Sequence, residues 1–129
     1  MTRSEPYRIL LLLSLLLAPT LSNADNCDSG NLTGFDSVYC FSKVFIGEDS
    51  RLNKNYSALR KKLGGNDSAI LRNAQRNWIA KRDASCMRGP TTVNVDCALA
   101  MTRARADFLS ARLVECTSVG CASSKLGLY

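Results

Sequence analysis

The sequence predicts an all-α fold, a small disulfide-stapled antiparallel bundle of three to four helices. Apolar residues recur at helical spacing, as in Leu52, Tyr56, Leu59 and Leu63, which fall at i, i+4, i+7 and i+11 and form one stripe. The breakers Gly64-Gly65 and Gly89-Pro90 then divide the periodic stretches. Finally, six cysteines follow a segment that reads as an export signal, so they are expected to meet an oxidising compartment and pair.

That signal is residues 1–24. Arg3 and Arg8 supply a basic start, Ile9 to Leu21 an apolar run, and Ser22-Asn23-Ala24 the small residues before cleavage. The apolar run is shorter than the ~20 residues of a membrane-spanning helix and contains Pro19. Asp25-Asn26, rather than small residues, precede Cys27, which argues against a lipid anchor. The expected product is a soluble periplasmic or secreted domain, residues 25–129. Its 105 residues carry a net charge of +5, because residues 1–24 take away Arg3, Arg8 and Glu5 from a chain of net charge +6. A domain of that size buries a marginal core, and disulfides supplement it.

The elements follow in order. Residues 25–34 are polar and aperiodic and read as an arm held by Cys27. Residues 35–45 mix aromatic and β-branched side chains and read as a short helix. Asp49 or Ser50 is the expected cap of a second helix carrying the Leu52 stripe, ended by Gly64-Gly65. Asn66-Asp67-Ser68 offers the next cap, for a helix running to about Cys86 with Leu71, Ala74, Gln75, Trp78, Ile79 and Arg82 on or beside one face. Residues 87–94 form a loop around Gly89-Pro90. A last long helix, about residues 95–116, is expected to bury Cys97, Met101, Ala104, Phe108, Leu109 and Leu113. The tail beyond it is small and polar until Leu126 and Leu128.

This order constrains the disulfides. Cys97 and Cys116 lie on one helix, roughly 28 Å apart at 1.5 Å per residue, and cannot join. Cys86 and Cys97 flank one interhelical loop and are the best pair. For the other four, Cys27–Cys40 with Cys116–Cys121 is preferred because each is local; Cys27–Cys121 with Cys40–Cys116 is the alternative.

The absence of histidine removes the commonest general base and metal ligand. Asp49, Asp83, Asp107 and Glu115 are the carboxylates left for acid-base work, and no spacing pairs them. The cysteines contain no C-x-x-C pair that would suggest zinc. The expectation is a protein-binding domain with no enzymatic activity, cofactor, metal or nucleic-acid partner. Arg60-Lys61-Lys62 suits a helix C-terminus, and Arg72, Arg76, Lys81 and Arg103 read as solvated positions. Asn31, Asn55 and Asn66 begin glycosylation triplets, which matter only in a eukaryotic secretory route.

Gln75, Trp78 and Arg82 lie at i, i+3 and i+7 on one helical face. In the structural reading Trp78 packs on the Leu52/Tyr56 stripe, Arg82 stacks on Trp78 or pairs with Asp49, and Gln75 satisfies a buried polar group such as Asn53. In the functional reading the same face is a recognition surface anchored by Trp and Arg.

The pattern Cys27, Cys40, Asp49, Leu52-Asn53, Tyr56, Leu71, Gln75, Trp78, Arg82-Asp83, Cys86, Cys97, Arg105 and Leu109 resembles the lysozyme inhibitor LprI family, over about residues 27–113. Four cysteines fit the family pattern; Cys116 and Cys121 look like an added pair. The resemblance implies an exported helical protein that binds a lysozyme or another peptidoglycan hydrolase and inhibits it by occlusion. It assigns no inhibitory residue. Asp49, Asn53, Tyr56, Gln75, Trp78, Arg82, Asp83 and Arg105 stand as motif residues of the fold or of an interface. The alternatives are a non-inhibitory envelope-binding or assembly protein, and an immunity protein against a peptidoglycan-cleaving toxin. Because common animal lysozymes are cationic, a cationic inhibitor would rely on shape or on local acids such as Glu48-Asp49.

Overall fold

The computed structural model describes Cys27 and residues 30–129; the expected signal segment and its cleavage point lie outside the described residues. Three long helices and one short one follow in order: α1 (Gly34–Arg60), α2 (Gly65–Cys86), α3 (Val95–Ser118) and α4 (Ser123–Leu126).

Thr33 caps α1: its Oγ1 accepts from the Asp36 amide at 3.3 Å and donates to the Asp36 carboxylate at 2.7 Å. The helix then runs unbroken through Gly47-Glu48-Asp49-Ser50, so the two helices expected for this region are one. Asp49 caps nothing; it accepts from Asn53 Nδ2 at 2.9 Å, one turn on. A glycine inside a helix costs about 1 kcal/mol, and packing along α3 offsets it.

The turn to α2 is tighter than Asn66-Asp67-Ser68 suggested. Lys62 and Leu63 donate to Leu59 and Arg60 carbonyls, Gly64 takes the cap position, and Asn66 to Ser68 lie within the first turn. There Asp67 favours the helix N-terminal dipole. The α2 to α3 loop folds back on itself: Arg88 N–H donates to the Thr92 carbonyl and Asn94 N–H to the Cys86 carbonyl, both at 2.8 Å. Gly89 sits there at φ 145°, a conformation that favours glycine. Asn94 caps α3 by accepting from the Cys97 amide at 3.0 Å.

Cross-helix contacts set the directions. Glu48 reaches Arg103 and Arg51 reaches Asp107, so α1 and α3 run in the same sense. Gln75 meets Arg105 while Cys86 meets Cys97, so α2 is antiparallel to α3. The result is an up-down-up bundle whose core joins Leu52, Leu59, Leu71, Trp78, Ala106 and Leu109 to Leu126. Leu126 belongs to α4, which the tail reading missed, and it is buried. The six cysteines form three disulfides, Cys27–Cys40, Cys86–Cys97 and Cys116–Cys121.

The buried face of α3 differs from the expected one. Ala98, Thr102, Arg105, Ala106 and Leu109 are buried, Cys97, Met101, Phe108 and Leu113 are only half-buried, and Ala104 is exposed. Because α3 is contacted by both α1 and α2, its inward surface is wider than one apolar stripe. Small residues also let α1 approach closely: Asn55 Nδ2 donates to the Ala106 carbonyl at 3.1 Å, past a side chain that is only a methyl. On α2 the expected face holds for Leu71, Ala74, Gln75 and Trp78, whereas Ile79 is exposed.

Candidate functional site

The motif residues of α2 and α3 converge, Trp78 and Arg82 with partners the sequence indicated and Gln75 with one it did not. Trp78 is 5% exposed and joins the core cluster with Leu52, against which the half-buried Tyr56 packs. The Arg82 guanidinium lies 5.2 Å from the Trp78 ring centre and binds the neighbouring Asp83 carboxylate at 2.7 Å, not Asp49. Gln75 does not serve Asn53. Its Oε1 accepts from Arg105 Nε at 2.9 Å, inside the protein.

Arg105 is the unusual member. It is 2% exposed, its Nη1 donates to the Leu128 carbonyl at 2.8 Å, and its guanidinium sits 4.8 Å from the Phe108 ring centre. Its Nη2 is buried and makes no hydrogen bond. Burial lowers its pKa to about 10, so it remains a cation at neutral pH. Among the described residues no acidic side chain pairs with it; its partners are an amide, a carbonyl and a ring. Sequence reasoning placed Arg105 in the motif but did not foresee that it fastens the C-terminal segment to α2 and α3. The only local signal was the pair Leu126 and Leu128 in an otherwise polar tail.

Beside Arg105 runs a groove of about 290 Å³ between α2, α3 and the C-terminal end. Trp78, Met101 and Phe108 make its apolar wall, and Lys81 lies across the Tyr129 ring at 5.5 Å.

The carboxylates do not converge. Asp49 serves Asn53, Asp83 serves Arg82, Asp107 binds Arg51, and Glu115 binds Lys125 and Arg112. Glu48, proposed with Asp49 as an acid offered to a partner, is instead held between Arg51 and Arg103. Their hydrogen bonds keep its carboxyl below the usual glutamate range. Arg103 therefore has a structural partner and is not simply solvated.

Among the described residues an apolar surface also stays open to solvent. On the N-terminal half of α1, Phe35 is 92% exposed and Tyr39 57%, with Val38 and Ile46 also exposed. Phe35, Tyr39 and Ile46 are spaced by four and seven residues and share one outward face.

A family model described as lysozyme inhibitor LprI matches residues 27–109. The chain belongs to the LprI lysozyme inhibitor family. No curated protein and no solved structure matches it. In this LprI family member the matched segment takes in α1, α2 and α3 as far as Leu109, including the Trp78, Gln75 and Arg105 cluster. The Cys116–Cys121 disulfide and α4 lie beyond the match, so the groove closed by Tyr129 is only partly built from the family segment. The family is one of inhibitor domains rather than of enzymes.

Proposed function

We propose that the protein is exported to the periplasm or beyond and inhibits a lysozyme or another peptidoglycan hydrolase by binding it stoichiometrically. The observation that carries this reading is membership of the LprI family across all three long helices. Three disulfides in so small a domain suit an oxidising compartment.

Occlusion of the enzyme's cleft is the mechanism the residues support best, because Asp49, Asp83, Asp107 and Glu115 do not converge and each is held by a different partner. The surface best suited to it is the outer face of α1. A rigid helix presents Phe35 and Tyr39 at little entropic cost, and large aromatic side chains are favoured interface anchors. Glu48 contributes little there, since Arg51 and Arg103 already neutralise it.

Lysis of cell-wall suspensions by a panel of animal, phage and bacterial lysozymes tests the proposal. Inhibition should saturate at a fixed molar ratio, and for a cationic enzyme it should hold or strengthen as salt rises, because screening removes repulsion. Collapse of inhibition in modest salt would point to acidic side chains instead of the apolar face. Absence of inhibition across the panel would sink the inhibitor reading in favour of non-inhibitory envelope binding or, with a toxin as the captured partner, immunity.

A further inference from the structure

The groove beside Arg105 has a chemistry that inhibition by α1 does not use. Its walls are apolar and aromatic, and among the described side chains that line it are two cations, Arg105 and Lys81, and no acidic side chain. Arg105 is buried without a counter-ion and retains an unbonded Nη2. A buried charge is expensive unless paired, so a site that keeps one uncompensated beside an apolar cleft is complementary to an anion carrying an apolar body.

We propose that this groove binds a free amphipathic monocarboxylate, with its apolar chain against Trp78, Met101 and Phe108 and its carboxylate drawn to Arg105 and Lys81. A volume of about 290 Å³ lies at the lower edge of the size of small-molecule pockets. That favours a slender acyl chain over a folded protein element. Lys81, at the rim across Tyr129, supplies attraction on approach, and Arg105 supplies the fixed charge deeper in. A neutral molecule of the same shape satisfies the walls but leaves Arg105 as it was.

The protein carries its own reporter, since Trp78 is the single tryptophan and lines the groove. The exported form from Asp25 onward is titrated with decanoate and, separately, with decanol, following Trp78 emission. Decanoate should give a saturable 1:1 change, with decanol binding about tenfold more weakly. Ala104→Phe, at an exposed α3 position on the groove wall, should abolish the decanoate response without lowering the melting temperature. Lys81→Gln, also at an exposed position, should weaken decanoate several-fold and leave decanol unchanged, which keeps the test decisive if Ala104→Phe fails to fold. Equal binding of acid and alcohol, or no saturable response, overturns the proposal. So does an unaltered decanoate response in the folded Ala104→Phe protein. Loss of lysozyme inhibition in that variant with no decanoate binding by the parent would also overturn it, because the groove would then serve a protein. The decanoate and decanol titrations do not depend on whether the parent inhibits a lysozyme.

Discussion

Both ends of the bundle carry disulfides, but the Cys116–Cys121 bond closes only a five-residue turn after α3, and that end is held chiefly by burial. Toward the C-terminal ends of α1 and α3, Leu59, Leu71, Leu109 and Leu126 are essentially inaccessible and interlock across all four helices. At the opposite end, Phe35, Val38 and Tyr39 of α1 and Met87, Val93 and Val95 around the α2 to α3 loop all stay exposed. There Cys27–Cys40 and Cys86–Cys97 supply covalent ties. Burial stabilises one end through water-excluded area; cross-links stabilise the other largely by restricting the unfolded chain. The difference has a functional consequence. An end tied by disulfides can leave its aromatic side chains outward without losing its shape, and these are the side chains proposed above to meet a partner.

The comparison breaks most visibly at the buried end. Trp78→Ala should lower stability by about 3–5 kcal/mol, the usual range for a buried aromatic. Denaturant melts check it; a variant that melts like the parent yet loses partner binding would make Trp78 an interface residue. Replacing Cys86 and Cys97 together by Ser should cost about 3 kcal/mol, the loop-closure contribution for a separation of 11 residues. Exchange of amide hydrogens should rise most around residues 87–94, and uniform loss of protection would show that the two ends are not separately held.

A smaller effect concerns pH. Glu48 is lowered by hydrogen bonds from Arg51 and then Arg103, so its contribution is present above the ordinary glutamate value of 4.5 and is lost as pH falls through the lowered folded value. Glu115, lowered chiefly by Lys125, acts in the same sense at the other end of α3. Melting temperature against pH should therefore drop less steeply in this window for Glu48→Gln than for the parent. Parallel curves would remove the Glu48 network from the account. The smallest expected change is Phe35→Ala, within about 0.5 kcal/mol in stability, since the ring is almost wholly exposed. The same variant should weaken any inhibition at least tenfold if the α1 face is the docking surface. Full inhibition by Phe35→Ala with Tyr39→Ala would move the interface elsewhere.

Legibility followed the range of each interaction. The Gly64-Gly65 turn, the Gly89-Pro90 loop, the start of α3 and the helical phase of α2 were readable because caps, breakers and periodicity act within a few residues. Asp49-Ser50, read as the cap of a new helix, misled for the same reason. Locally they read as a break with a new cap, and only α3 alongside makes an unbroken α1 favourable, through Arg103 on Glu48 and Asp107 on Arg51.

The sequence alone determined an all-α chain and the Cys86–Cys97 pair. It left the other four cysteines between two pairings and the Trp78 face between core and interface; the structure pairs Cys27 with Cys40 and Cys116 with Cys121 and buries Trp78. Tertiary structure decided which sides of α3 are buried, because two helices contact it and small residues there admit the α1 backbone. It decided that Gln75 answers Arg105, residues 30 positions apart that no periodicity relates. It also decided that the tail folds back as α4 to insert Leu126 and to offer the Leu128 carbonyl to Arg105. Those choices depend on which surfaces and charges meet in space, and a buried charge takes the partners that the packing places beside it.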